Sequence, residues 1–158
     1  AASLAAVWEH NVREGVDDPG AFPAAPELVE ALVELDRLVE AQPVVDRLRE
    51  LAERQEHPWG LASAARCAAL VRLAAPEYDA EAAASLEQAA DEFGRLGLPF
   101  DRARVLFALG RAQRRRKKWA AARESLESAA AAFDQLEVDS AAADVVAELT
   151  RRAAVMTR

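Results

Sequence analysis

One stretch of this chain is written twice. Ser85-Leu86-Glu87-x-Ala89-Ala90-x-x-Phe93-x-x-Leu96 returns forty residues later as Ser125-Leu126-Glu127-x-Ala129-Ala130-x-x-Phe133-x-x-Leu136. Upstream, Pro58-Trp59 answers Pro99-Phe100, and Ala69 answers Gly110, both at a spacing of 41. The one-residue difference falls where Pro76-Glu77-Tyr78-Asp79 is longer than Lys117-Lys118-Trp119. A fainter third copy runs through Leu38, Ala41, Val45 and Leu48. Self-similarity at such a period means one small unit stacked on itself, because a single unit cannot bury its apolar face alone.

Each unit reads as a pair of helices. The hydrophobic fraction is 52% but aromatics are only 6%, so much of the apolar content is alanine. Alanine favours helix and lets helices approach closely. No run alternates Val, Ile, Thr and aromatics as a strand would. The pattern predicts eight helices, at 2–14, 26–36, 39–55, 59–74, 79–95, 100–116, 119–136 and 139–155. Proline and glycine clusters near 15–26, 43, 58, 76 and 94–99 supply the interruptions, with Pro43 in the first turn of the third helix.

Leu106-x-x-Leu109-Gly110, then Ala122-x-x-x-Leu126 and Ala129, resembles the tetratricopeptide (TPR) pattern W-x₂-L-G…A-x₃-F. Small residues at Gly110, Ala122 and Ala129 allow close approach, and Leu106, Leu109, Trp119 and Leu126 fill the space between. Gln113 and Asp134 depart from the pattern, and the repeat exceeds the usual ~34 residues. The resemblance implies an all-α, TPR-like right-handed superhelix of antiparallel helix pairs forming one domain over 1–158. Its approximate repeats are 23–57, 58–98 and 99–138, with a partial repeat and loop at 1–22 and a capping helix at 139–158. Trp59, Phe93, Phe100, Trp119 and Phe133 occupy repeat-equivalent places and are expected between helices.

Catalytic chemistry has no residues to stand on. The six glycines form neither G-x-x-x-x-G-K nor G-x-G-x-x-G. His10, His57 and the lone Cys67 have no metal-ligand spacing, so no cofactor is expected. His57 reads as a solvated turn residue, Asp17-Asp18 as a plain turn, and Cys67 as a small buried hydrophobe. One cysteine cannot form a disulfide framework, and no segment reaches ~18 uncharged apolar residues; a cytoplasmic, non-membrane protein is expected.

Charge is distributed unevenly. The chain carries −7 overall, yet residues 99–118 hold eight basic residues against Asp101. Residues 27–56 hold nine acidic residues against four arginines. The run Arg114-Arg115-Arg116-Lys117-Lys118 suits a helix C-terminus and a solvated turn. Counting from Gly110, however, Arg104, Phe107, Arg111, Arg114 and Arg115 fall on the helix face that lines the concave groove of a TPR array, and Arg66 is the repeat equivalent of Phe107. Several guanidiniums beside an aromatic ring are a seat for a carboxylate, a phosphate or an acidic peptide. The expected partner is therefore a protein or a small anionic effector in that groove.

Residues Gly97 to Arg116, with Trp119 to Leu126, resemble the TPR-like region of large ATP-binding LuxR-type bacterial transcription regulators. Val16-Asp17-Asp18-Pro19-Gly20, Glu30 to Leu35 and Pro58 to Cys67 are similar to it as well. The resemblance implies a sensor or scaffold segment that is not itself an enzyme. In that family a phosphate-loop NTPase and a helix-turn-helix flank the repeats, so DNA would be met only through a domain not present here. A free-standing adaptor that binds an acidic peptide or partner protein is the alternative.

Overall fold

A computed structural model describes the backbone of residues 2–20, 24–75 and 79–156, and side chains as far as residue 137. The expected turns at 21–23 and 76–78 lie outside the described residues. Among those described, the chain is all helix: α1 Ala2–Arg13, α2 Ala24–Glu34, α3 Leu38–Arg54, α4 Pro58–Ala74, α5 Ala80–Arg95, α6 Pro99–Arg115 and α7 Trp119–Met156.

The count is seven, not the eight expected from the repeat. Residues 119–136 and 139–155 belong to the single helix α7. The reason is in the sequence, which contains no glycine after Gly110 and no proline after Pro99. Nothing between Glu137 and Ser140 can stop a helix that alanine favours on both sides. Pro43 also differs from expectation. It stands inside α3, beyond the first turn and on an exposed face, so the Val39 carbonyl that loses its helical donor lies at an exposed residue open to solvent.

Successive helices pack on one another throughout, and α4 also touches α2 and α6. Two apolar clusters hold the stack. Leu28, Val29 and Leu32 of α2 meet Val44, Val45 and Leu48 of α3, closed by Ala64 and Cys67 of α4. Ala69 and Leu73 of α4 meet Leu86, Ala90 and Phe93 of α5 and Val105 and Leu109 of α6. Thus α4 gives one edge to each cluster and ties them together.

Five helix ends, those of α1, α2, α3, α5 and α6, share one device. The N–H groups of Val16, Arg37, His57, Leu98 and Lys118 each donate to the carbonyl five residues back, on Asn11, Leu32, Ala52, Phe93 and Gln113, at 2.8–3.0 Å. The residue before each donor, Gly15, Asp36, Glu56, Gly97 or Lys117, has φ between 48° and 69°. This is the Schellman closure, with a left-handed residue satisfying carbonyls the helix leaves orphaned. After Arg37, His57, Leu98 and Lys118 the next helix begins at once. First-turn amides are capped by His57 Nδ1, which accepts from Gly60 N at 3.1 Å in α4, and by Asp79 Oδ1, which accepts from Ala82 N at 2.9 Å in α5. His57 is therefore a cap, partly buried, where the sequence suggested a solvated ring.

Gly110 is the point of closest approach. A Cβ built there would lie 2.6 Å from Leu126 Cγ and 3.2 Å from the Ala122 carbonyl oxygen. Gln113, the departure from the aromatic pattern, is buried and accepts a hydrogen bond from Ser125 Oγ at 2.9 Å. A polar pair occupies the place of a ring.

Candidate functional site: a trough crossed by ion pairs

The backbones of α2 and α6 make no contact of their own. Between them, over α4, lies a trough. Val33 and Glu34 of α2 form one wall, Leu70 of α4 the floor, and Ala108 and Arg111 of α6 the other wall. Two neighbouring cavities share these residues, one of about 270 Å³ beside Glu30, Arg104 and Phe107, the other of about 240 Å³ beside Asp36, Leu73 and Arg115.

On α6 the spacing of Phe100, Arg104, Phe107 and Arg111 puts a ring and a guanidinium alternately along one face. Arg104 lies 5.8 Å from the centre of the Phe100 ring, and Arg111 lies 5.8 Å from that of Phe107. The rings stiffen the long side chains and hold their heads toward the trough. There they meet α2. Arg104 Nη1 and Nη2 donate to both carboxylate oxygens of Glu27, and Nη2 also donates to Glu30. Arg111 Nη1 donates to Glu34 Oε1 at 2.9 Å.

Arg66 of α4 lines not the trough cavities but a separate one of about 490 Å³, beside Glu27, His57 and Trp59. It is only 2% exposed and is held under the trough, where Nη2 pairs with Glu30 Oε1 at 3.0 Å. Its Nε and Nη1 find no partner among the described residues.

The remaining sequence candidates divide. Phe107 is 46% exposed on the trough wall. Among the described residues neither Arg115, which lines the smaller cavity, nor the exposed Arg114, which lines neither, has an ion pair. Arg116, expected in solvent, donates to the Ala75 carbonyl at 2.5 Å and pins the α4–α5 connection to the end of α6.

Electrostatics follow this geometry. The hydrogen bonds from Arg104 hold the Glu27 carboxyl below the usual carboxylate range, against the opposing effect of burial, with the Arg104 and Arg66 charges assisting. The Glu27 hydrogen bond likewise raises Arg104. Burial pushes the Cys67 thiol up to about 11, so this cysteine is a packed hydrophobe in the α2–α4 cluster.

Three carboxylates, Glu27, Glu30 and Glu34, are the site residues that sequence reasoning missed. Their spacing was visible in the sequence, but not its pairing with α6. Glu27 and Glu34 are seven residues apart, as are Arg104 and Arg111, and both pairs are separated by 77 residues.

The expected aromatic core is only partly formed. Phe93 is fully buried, whereas its counterpart Phe133 is half-buried and meets Phe100 edge-on with ring centres 6.1 Å apart. Phe100 and Trp119 are exposed, Trp119 by 62%. Phe93 is enclosed by α4, α5 and α6, while among the described residues α7 packs only on α6.

Among the described residues, no group of three or more His, Cys, Asp and Glu is arranged to hold a metal ion. No described helix is long and apolar enough to cross a membrane. No family model, curated protein or solved structure matches this chain.

Proposed function

We propose that this chain is a non-catalytic, TPR-like right-handed superhelical segment that holds a protein partner or small effector in the α2–α4–α6 trough. We place it as the cytoplasmic sensor and scaffold segment of a LuxR-type transcription regulator. The observation that carries the binding reading is the trough itself. Its apolar floor is the half-buried Leu70, flanked by Phe107 and by Arg115, which has no ion pair among the described residues, while the helices that frame it are locked by two buried clusters. A rigid frame around an accessible apolar floor with a few convergent polar groups is the usual construction of a binding site. A repeat stack can pass small interface changes along its length, which would let occupancy bias a neighbouring domain without chemistry. The regulator assignment draws support from the extended likeness over Gly97–Leu126.

The test uses the parent reading frame. It should encode a phosphate-loop NTPase before these repeats and a helix-turn-helix after them. Phe107→Ala with Arg115→Ala should abolish effector-dependent transcription while leaving the helical content unchanged. A parent frame without those domains would remove the regulator assignment and leave the adaptor reading. Unchanged regulation in the double variant would remove the trough.

A further inference from the structure

The arginine face of α6 is already occupied, and by this chain. Glu27, Glu30 and Glu34 stand at i, i+3 and i+7 and so share one face of α2. Arg104 and Arg111 stand at i and i+7 on α6, so the two stripes stay in phase along the trough. With Arg66 the set holds three guanidiniums and three carboxylates. Among the described residues these ion pairs join α2 to α6 although the two backbones make no contact. Helix α2 is not free to leave, because Leu28, Val29 and Leu32 are buried against α3 and α4. Its carboxylates can nevertheless rotate away into water.

We propose that the acidic edge of α2 is a built-in pseudo-ligand, which occupies the seat of an acidic protein segment and must be displaced by it. This rests on the trough reading above and names the occupant's chemistry. The self-contact serves as the template: a partner carrying carboxylates at about one-helical-turn spacing can take over the same guanidiniums. Entry begins at one end. Among the described residues Arg114 and Arg115 have no ion pair, and the neighbouring Arg111–Glu34 pair is the more exposed rung, at 46% and 61%. An exposed pair is weak and screened, so Glu34 yields first. The inner rung resists, because Arg104 is only 21% exposed and is held by two carboxylates. The trough thus admits an acidic segment stepwise, and only one carrying enough carboxylates to replace both rungs fills it.

Calorimetric titration of the 158-residue chain with a capped hexaglutamate peptide at low salt tests this. Glu34→Gln should tighten binding about threefold, and Glu27→Gln, Glu30→Gln and Glu34→Gln together roughly tenfold or more, as expected for removing weak internal competitors. Arg111→Met added to Glu34→Gln should cancel the gain. Glu53→Gln changes net charge equally on an exposed position of α3 and should leave affinity within the error of wild type. Equal gains from Glu53→Gln and Glu34→Gln would reduce the effect to net charge and overturn the proposal. No gain from Glu34→Gln, an exposed change that leaves the fold intact, would overturn it directly. The transcription assay of the parent protein reads the trough independently, so loss of the pseudo-ligand alone leaves that reading standing.

Discussion

Arg104 of α6 and Glu27 of α2 are joined by two hydrogen bonds across the top of α4, although the helices that carry them never touch. Arg111 and Glu34 repeat the relationship one step along, at the same separation of 77 residues. Helices that alternate in a stack run in the same direction, so a seven-residue spacing on one is matched by a seven-residue spacing on the other.

This pairing makes the acid limb of stability informative. Glu27 has a folded pKa below its ordinary value of 4.5. Its contribution is therefore complete above the unfolded value and is lost as pH falls through the lower folded one. Asp79 behaves alike, because the Ala82 N–H and then Arg72 hold its carboxyl low. Urea denaturation from neutral pH down to about pH 3 should show stability falling below the ordinary carboxylate range. In Arg104→Met, carboxyl NMR should show the Glu27 midpoint moving upward; an unmoved midpoint would mean the pair does not form in solution.

The left-handed helix ends offer a second test. Lys117 has φ 58° in a position that suits glycine. A side chain there costs about 1–2 kcal/mol in conformational energy, partly offset by the greater freedom of glycine in the unfolded chain. Lys117→Gly should stabilise the protein by about 0.5–1 kcal/mol in denaturant titration. Gly97→Ala, at φ 69°, should destabilise it.

Gly110→Ala sets two effects against each other. Alanine gains up to ~1 kcal/mol of helix propensity over glycine. The added methyl group, however, meets Leu126 Cγ at 2.6 Å and the Ala122 carbonyl oxygen at 3.2 Å. Backbone cannot rotate aside, so overpacking of ~1–3 kcal/mol should win. Lower thermal stability is the expected result; a more stable variant would show that α6 and α7 are farther apart.

Much of the fold was legible because the forty-residue repeat is legible. Gly110, the small residue from which the register was counted, is where α6 meets α7 most closely. The helix ends were harder. The Schellman closures at Glu56 and Lys117 use residues that carry no turn signature and Asp36 carries only a weak one, so Gly15 and Gly97 announced themselves most clearly. The false break near residue 138 came from extending the repeat where no glycine or proline enforces a turn. In the candidate site, Arg104, Phe107 and Arg111 could be placed by helical spacing alone. Their carboxylate partners could not, because the spacing within α2 does not say how α2 stands against α6. Arg66 shows a related limit: repeat equivalence fixes a residue's place on its helix, but not the ion pair that its head makes with Glu30 of α2.

Cys67 gives a simple check on the α2–α4 packing. Its thiol is buried, with burial raising its pKa to about 11. A thiol-disulfide reagent at neutral pH should leave it unmodified in the native protein and react fully once denaturant opens the cluster. Rapid native labelling would mean that α2 and α3 do not close over α4.

The most direct measurement of the ionic crossing is a double-mutant cycle on Glu27→Gln and Arg104→Met, read by denaturant unfolding at neutral pH and low salt. Two side chains that bond only across the trough should couple by about 1 kcal/mol, reduced by added salt because the Glu27 end is partly exposed. The cycle on Glu34→Gln and Arg111→Met, at the more exposed rung, should give a smaller coupling. Additive effects at Glu27 and Arg104, with a coupling within ~0.3 kcal/mol of zero, would contradict the crossing and the occupied trough built on it.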